Sequence, residues 1–312
     1  MVALYFYESI FSSWFLSMQE KYVIANGVRL AYDEFGDSTK PAMLLIMGLA
    51  TQMIAWPEAF CEQLAAQGYW VIRYDNRDIG LSEKIESAKP PNIAKLIIQS
   101  KLRMTVKVPY SLKDMADDSV GLLDALEIDK AHIVGVSMGG MIGQLVTAHS
   151  ASRVHTFTSI MSTSGDKKIP AAKRHITAAM LRKSNNSEQA VLANKMQVLR
   201  LISSPAYPPS EEEMTEKILN SYRRNYYPTG GLRHIAAIIH CGSRVEALRT
   251  ITRPTLVIHG KEDVLVNVAG GIDTARHVRD AKLELIDGMG HDLPQELIPR
   301  FVDLIANHAR GN

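Results

Sequence analysis

The sequence predicts an α/β fold, a mostly parallel central sheet flanked by helices, with a helical segment inserted between two of its strands. Three observations carry this expectation. Apolar, strand-length runs alternate with helical patterns from Met43 to His149, and such alternation implies a parallel sheet covered on both faces. Between about Gly165 and Leu248 the alternation stops; the pattern is helical and no strand reads clearly. Two further apolar runs then follow, at 255–259 and 282–286.

In chain order, Tyr22 to Tyr32 reads as two strands around Asn26-Gly27, the strongest short hairpin signal. Strands are expected near 43–47, 70–74, 131–136, 155–161, 255–259 and 282–286, and helices near 56–67, 113–126 and 138–149. Within the insertion, helices are expected at 171–183, 187–202, 211–226 and 231–240, broken by the Pro-rich run Ser204 to Pro209. The expected organisation is a core of residues 18–165 and 249–312, with 166–248 as a helical cap. Met180, Met196, Met214, Tyr222, Tyr226 and Tyr227 of that cap either line an acyl pocket or pack its helices together. Residues 1–17 are aromatic-rich (Tyr5, Phe6, Tyr7, Phe11, Trp14, Phe15) and stand apart. They lack the basic start and small-residue cleavage site of a secretory signal and are too short to span a bilayer. They read either as an extension before a start at Met18 or as a helix lying on the body or on a membrane surface.

The chemistry is concentrated where strands end. The strand His132-Ile133-Val134 runs into Gly135-Val136-Ser137-Met138-Gly139 and then into a helix start rich in small residues. Gly-x-Ser-x-Gly in this context describes a nucleophile elbow, a turn so tight that the serine is strained and its hydroxyl stands free. A serine needs a base, and the base needs an orienting carboxylate. The strand ending at His259-Gly260 is followed by Lys261-Glu262-Asp263, and the strand ending at Ile286 by Asp287-Gly288-Met289-Gly290-His291. Ser137 as nucleophile, Asp263 as orienting acid and His291 as base follow, each after a strand, where open α/β sheets bind ligands. Two backbone amides complete the arrangement as oxyanion donors: Met138 at the helix start, and Leu49 after the apolar run that ends at Gly48.

Together the segment Met47 to Ser82 and the three loops resemble the α/β-hydrolase family over roughly residues 20 to 305. The similarity is to the cap-bearing carboxylesterase branch that includes aclacinomycin methylesterase-like enzymes. The resemblance implies the same roles for Ser137, His291, Asp263, Leu49 and Met138. Many relatives carry histidine before the oxyanion glycine, where this chain has Met47, so the polar support of that loop is expected to differ. A single Gly48 in place of a triple-glycine loop argues against bulky tertiary-alcohol esters.

Several neighbouring residues look catalytic in isolation. Glu262 competes with Asp263, and the spacing after Gly260 favours Asp263. Asp292 is expected to point away from the site, Asp75, Arg77 and Asp78 to brace the oxyanion loop, and His259 to satisfy buried backbone. Net charge is +2 and no basic stripe with interleaved aromatics is present, which argues against nucleic acid as partner. Cys61 and Cys241 form neither a metal spacing nor a disulfide framework and read as buried thiols. No metal motif or phosphate loop appears, so the chemistry is expected to need no metal and no cofactor. The expectation is a cytoplasmic serine hydrolase that cleaves small-molecule carboxylic esters through an acyl-enzyme, without stable membrane insertion. A cofactor-free perhydrolase (haloperoxidase), a lactone hydrolase or a carbon–carbon bond hydrolase would use the same groups, and a small-ligand receptor with a vestigial triad is the non-enzyme alternative.

Overall fold

The computed structural model describes residues 20–102, 104–182 and 185–311. The aromatic-rich first seventeen residues lie outside them. Eight strands form one sheet: β1 (Lys21–Ala25), β2 (Val28–Phe35), β3 (Ala42–Ile46), β4 (Trp70–Tyr74), β5 (Ala131–Val136), β6 (Val154–Ile160), β7 (Thr255–Gly260) and β8 (Lys282–Ile286). Their order is β1-β2-β4-β3-β5-β6-β7-β8. The β1–β2 hairpin turns at Asn26 and Gly27, both at positive φ, and β2 pairs antiparallel with β4; every other pairing is parallel.

The parallel strands were legible because each residue of β3, β4, β5 and β7 is buried, so both sides of the pleat are apolar. Alternate residues feed two cores. Leu44, Ile46, Ile72, Tyr74 and Ile133 face one, closed by α3 (Leu112–Ala125) and α4 (Met138–His149). Met43, Leu45, Val71, Val134 and Val136 face the other, closed by α1 (Glu58–Ala66) and α11 (Ile298–Ala309). Ser111 and Asp114 form a capping box that starts α3. Cys61 is buried in the second core, which pushes its thiol up to about 12, whereas Cys241 is only half-buried.

Four helices read nowhere in the sequence are present: α2 (Ile93–Lys101), α9 (Val245–Arg249), α10 (Ala269–His277) and α11. The insertion between β6 and β7 holds α5 (Arg174–Met180), α6 (Glu188–Ile202), α7 (Glu211–Arg224) and α8 (Pro228–Cys241), and no strand among its described residues. Two boundaries differ from expectation for one reason. Pro228 forces Tyr227 out of helical geometry, ending α7 early, and itself serves as the first residue of α8, three residues before the expected start. No helix among the described residues is long and apolar enough to cross a membrane.

Candidate active site

Ser137 sits between β5 and α4 at φ 54° and ψ −117°, a conformation L-residues rarely adopt. The turn is held by Ser137 N–H donating to Ile160 O (2.9 Å) and by the Ser162 hydroxyl donating to Ser137 O (2.7 Å). Its tightness explains the flanking glycines. A Cβ on Gly135 would lie 2.2 Å from Gly139 O, and one on Gly139 would lie 2.0 Å from Ile46 O.

The loops after β7 and β8 bring their side chains to this hydroxyl. His291 Nε2 is 3.1 Å from Ser137 Oγ, and His291 Nδ1 is 2.7 Å from Asp263 Oδ2. Nδ1–H donating to the carboxylate leaves Nε2 as the acceptor facing the serine. Asp263 is itself fixed by the amides of Leu265 (2.9 Å) and Val266 (2.8 Å), both donating to Oδ1. Burial pushes its carboxyl up, but the adjacent His291 and hydrogen bonds from His259 and His291 outweigh burial and hold it well below the usual carboxylate range. It therefore stays ionised beneath the imidazole.

The competing acids are engaged elsewhere. Glu262 accepts from Gly288 N–H at 2.6 Å and straps the histidine loop from outside. Asp292 accepts from the amide (3.1 Å) and hydroxyl of Ser204, and that hydroxyl accepts from Gly290 N–H (2.8 Å). His291 N–H donates to Ile202 O, at the end of α6, at 2.7 Å. The histidine loop is thus pinned to the insertion. His259, fully buried, places Nε2 2.9 Å from Val266 O and 3.3 Å from Asp263 Oδ2, so it also backs the acid, which sequence reading did not foresee.

Of the two amides expected to serve as oxyanion donors, that of Met138 directly follows the serine and that of Leu49 follows Gly48, whose loop approaches Ser137. Met138 provides the first amide of α4, a position with no intrahelical acceptor. Gly48 brings the other loop close: a Cβ there would lie 3.2 Å from Ser137 Cβ and 3.7 Å from its Oγ. Leu49 is followed by Ala50 at φ 54°, so this loop carries strain of its own.

Beyond the Asp75–Asp78 turn, what holds that loop was not visible in the sequence. Asn76 Nδ2 donates to Met47 O at 3.0 Å, and Asp75 accepts from Met53 N–H at 2.7 Å. The insertion supplies the rest. Arg224, at the end of α7, donates to Asp75 Oδ2 (2.7 Å) and to Gln52 Oε1 (2.8 Å), while Gln52 Nε2 donates to Ser221 O and Asn225 O, both at 2.7 Å. From α8, His234 Nδ1 accepts from Ala50 N–H at 3.4 Å and its Nε2–H donates to Arg77 O at 2.9 Å. Gly231 lies against Ala50, where a Cβ would come within 2.9 Å of the alanine's. Arg77 pairs with buried Asp118, and Asp78 with Arg233 of α8 (3.0 Å), so the Asp75–Asp78 turn is a brace. Of the insertion residues singled out in the sequence, Met214 is buried in helix packing, Tyr222 donates to Asn186 O (2.9 Å) and Tyr227 accepts from Arg233 (3.3 Å).

His234→Ala is expected to lower kcat on an ester by about tenfold with KM little changed, below the cost of deleting an oxyanion donor because the amide itself remains. His234→Gln, which can both accept and donate, should recover most of it. Steady-state kinetics of the two variants check this. Burial pushes the His234 imidazole from 6.5 down to about 4, and does the same to His132 on β5. A base depressed in the folded chain contributes stability that is full above its unfolded value and is lost as pH falls toward its folded one. The unfolding free energy from urea titration, and with it the midpoint, should therefore drop between pH 6.5 and 4, the free energy by up to about 1.4 kcal/mol per pH unit for each histidine. Asp75, Asp118 and Asp292, whose carboxyls burial raises, oppose this at the acid end. His132→Gln should flatten the slope; a midpoint constant across the window would contradict it.

Asp166, Asp273 and His277, all half-buried, bring potential metal-ligating atoms within 4.8 Å of one another, the one such group among the described residues. It shares no residue with the serine, histidine and acid.

The family model for the alpha/beta hydrolase fold matches residues 41–295, and the chain belongs to that family. It is 26% identical over 318 residues to rhodomycin D methylesterase DauP of Streptomyces sp., covering 94% of this chain and 99% of the relative. It is 26% identical to 3-oxoadipate enol-lactonase 2 of Acinetobacter baylyi, over 84% of this chain and 86% of that one. Among solved structures, the meta-cleavage product hydrolase of Pseudomonas fluorescens superposes with a TM-score of 0.72 at 21% identity, covering 93% and 97% of the two chains.

Proposed function

We propose that this chain hydrolyses carboxylic esters through an acyl-enzyme on Ser137. The observation that carries the reading is the continuous contact from Ser137 Oγ through His291 to ionised Asp263. In this mechanism Ser137 Oγ attacks the ester carbonyl as His291 Nε2 takes its proton, and Asp263 stabilises the imidazolium. The carbonyl oxygen becomes an oxyanion between the amides of Leu49 and Met138. The tetrahedral intermediate collapses, His291 protonates the departing alcohol, and the acyl group stays on Ser137. Water, giving a proton to His291, then attacks the acyl-enzyme; this second tetrahedral intermediate collapses as His291 returns the proton to Ser137 Oγ, and the carboxylic acid leaves.

Residues 18–165 and 249–312 form the catalytic core in this reading, and 166–248 a cap over the serine. Its support is that α6 holds the histidine loop while α7 and α8 hold the oxyanion loop. The full-length likeness to a methylesterase favours esters of small alcohols. A lactone is a cyclic ester cleaved by the same steps, and the likeness to an enol-lactonase makes it the second reading. The test is turnover of methyl esters, p-nitrophenyl esters from acetate to palmitate, and an enol-lactone by the purified chain. Serine-dependent hydrolysis with methyl esters preferred supports the first reading, and preference for the lactone the second. No turnover of either by folded protein rejects both.

A further inference from the structure

We infer that the outer face of α2 and the turn behind it form a docking surface for an anionic lipid bilayer. The helix is apolar on two sides and only one is used. Leu96 is buried and Ile93 half-buried, packed with Val106 and Val108 against Ala236 and Ile239 of α8. Away from that side Ile98 and Leu102 are 58% and 66% exposed, Ile97 at its margin is 36% exposed, and Met104 just beyond is 54% exposed. These are four of the ten large apolar side chains left exposed among the described residues, gathered within eight positions of chain. A cluster of that kind marks an interaction surface.

The charge around it selects the occupant. From residue 87 to 113 the sequence has six Lys or Arg and no Asp or Glu. Lys89, Lys95, Lys101 and Lys107 are exposed, and none makes an ion pair among the described residues. A second copy of this face would oppose like charges. Phosphatidylserine-type headgroups are complementary: isoleucine, leucine and methionine enter the headgroup–acyl boundary while the lysines extend to the phosphates. Because α2 lies on the outer side of α8, whose inner side bears His234, adsorption sets the membrane one helix away from the oxyanion loop.

The experiment is co-sedimentation of the full chain with vesicles of phosphatidylcholine alone or mixed with phosphatidylserine, at low and high salt. Binding to the mixed vesicles only, weakened by salt, is expected. Lys95→Gln, Lys101→Gln and Lys107→Gln combined should lower the partition coefficient about a hundredfold, at about fivefold per lysine. Ile98→Glu with Leu102→Glu should lower it by at least about tenfold. Thermal unfolding of each variant, independent of any ester assay, checks that the fold is retained. No binding, equal binding to both vesicle types, undiminished binding by the folded variants, or a concentration-dependent dimer in place of vesicle binding would overturn the assignment.

Discussion

Ser137→Ala is expected to reduce kcat/KM on any ester the protein cleaves by at least about 10⁴-fold, leaving the melting temperature close to that of the parent. The oxyanion amides and the imidazole remain, so the residual rate is that of positioned water. The fold should tolerate the change because, among the described residues, the Ser137 side chain hydrogen-bonds only to His291. Alanine keeps the strained backbone at φ 54°, whereas glycine adopts it freely. Ser137→Gly should therefore be equally inactive but more stable than Ser137→Ala, by about 1 kcal/mol. Kinetics and urea unfolding of the pair separate the chemical role of the hydroxyl from the backbone strain that presents it. Parent-like turnover in either variant would remove the acyl-enzyme from consideration.

The second large effect is Asp263→Asn, expected to lower kcat by about 10⁴-fold with a much smaller change in KM. The substitution conserves shape, and the asparagine oxygen can still accept from the amides of Leu265 and Val266. Its nitrogen then faces His291 Nδ1, from which the carboxylate accepted, and lies near His259 Nε2. His291 is driven to the tautomer whose Nε2 carries the proton and cannot take one from Ser137. Glu262→Gln, one residue away, leaves that geometry alone and should keep turnover within about threefold of the parent. If Glu262→Gln proved the more damaging, the acid assignment would have to be reversed.

Both predictions rest on residues legible in the sequence, and the reason is local. A parallel strand buried on both faces is an unbroken apolar run, and Ser137 and Asp263 each follow such a run, whereas His291 follows the edge strand β8, where only Ile286 is buried. The elbow was readable because Gly135 answers a backbone approach from Gly139, four residues on, although Gly139 itself yields to Ile46 O on the neighbouring strand. Helix α11 could have been found, since Ile298, Phe301, Val302 and Ile305 are spaced for one buried face. The start of α8 was hidden by Pro228-Thr229-Gly230-Gly231, which looks like a breaker. There the proline is an ordinary first residue, and the glycines admit Ala50 and Asp78 O. Apart from the Asp75–Asp78 turn, the loop's support was illegible for a deeper reason. Met47 announced that the usual polar support was changed, but nothing near it named Asn76, Gln52, Arg224 or His234. His234 meets Ala50 across 184 positions, and no local pattern encodes such a pair.

The bonds from Arg224, Gln52 and His234 to the turns around Met53, Asp75 and Ala50 also bear on how such proteins diversify. A roof that merely covered a finished site could be exchanged between relatives like a cassette, altering taste and sparing chemistry. In the proposed reading the roof helps finish the site, and a transplanted insertion would arrive without the donors and acceptors that Ala50, Gln52 and Asp75 now meet. On that reading, an insertion exchanged at residues 166 and 248 alone is expected to give chains that fold but scarcely turn over.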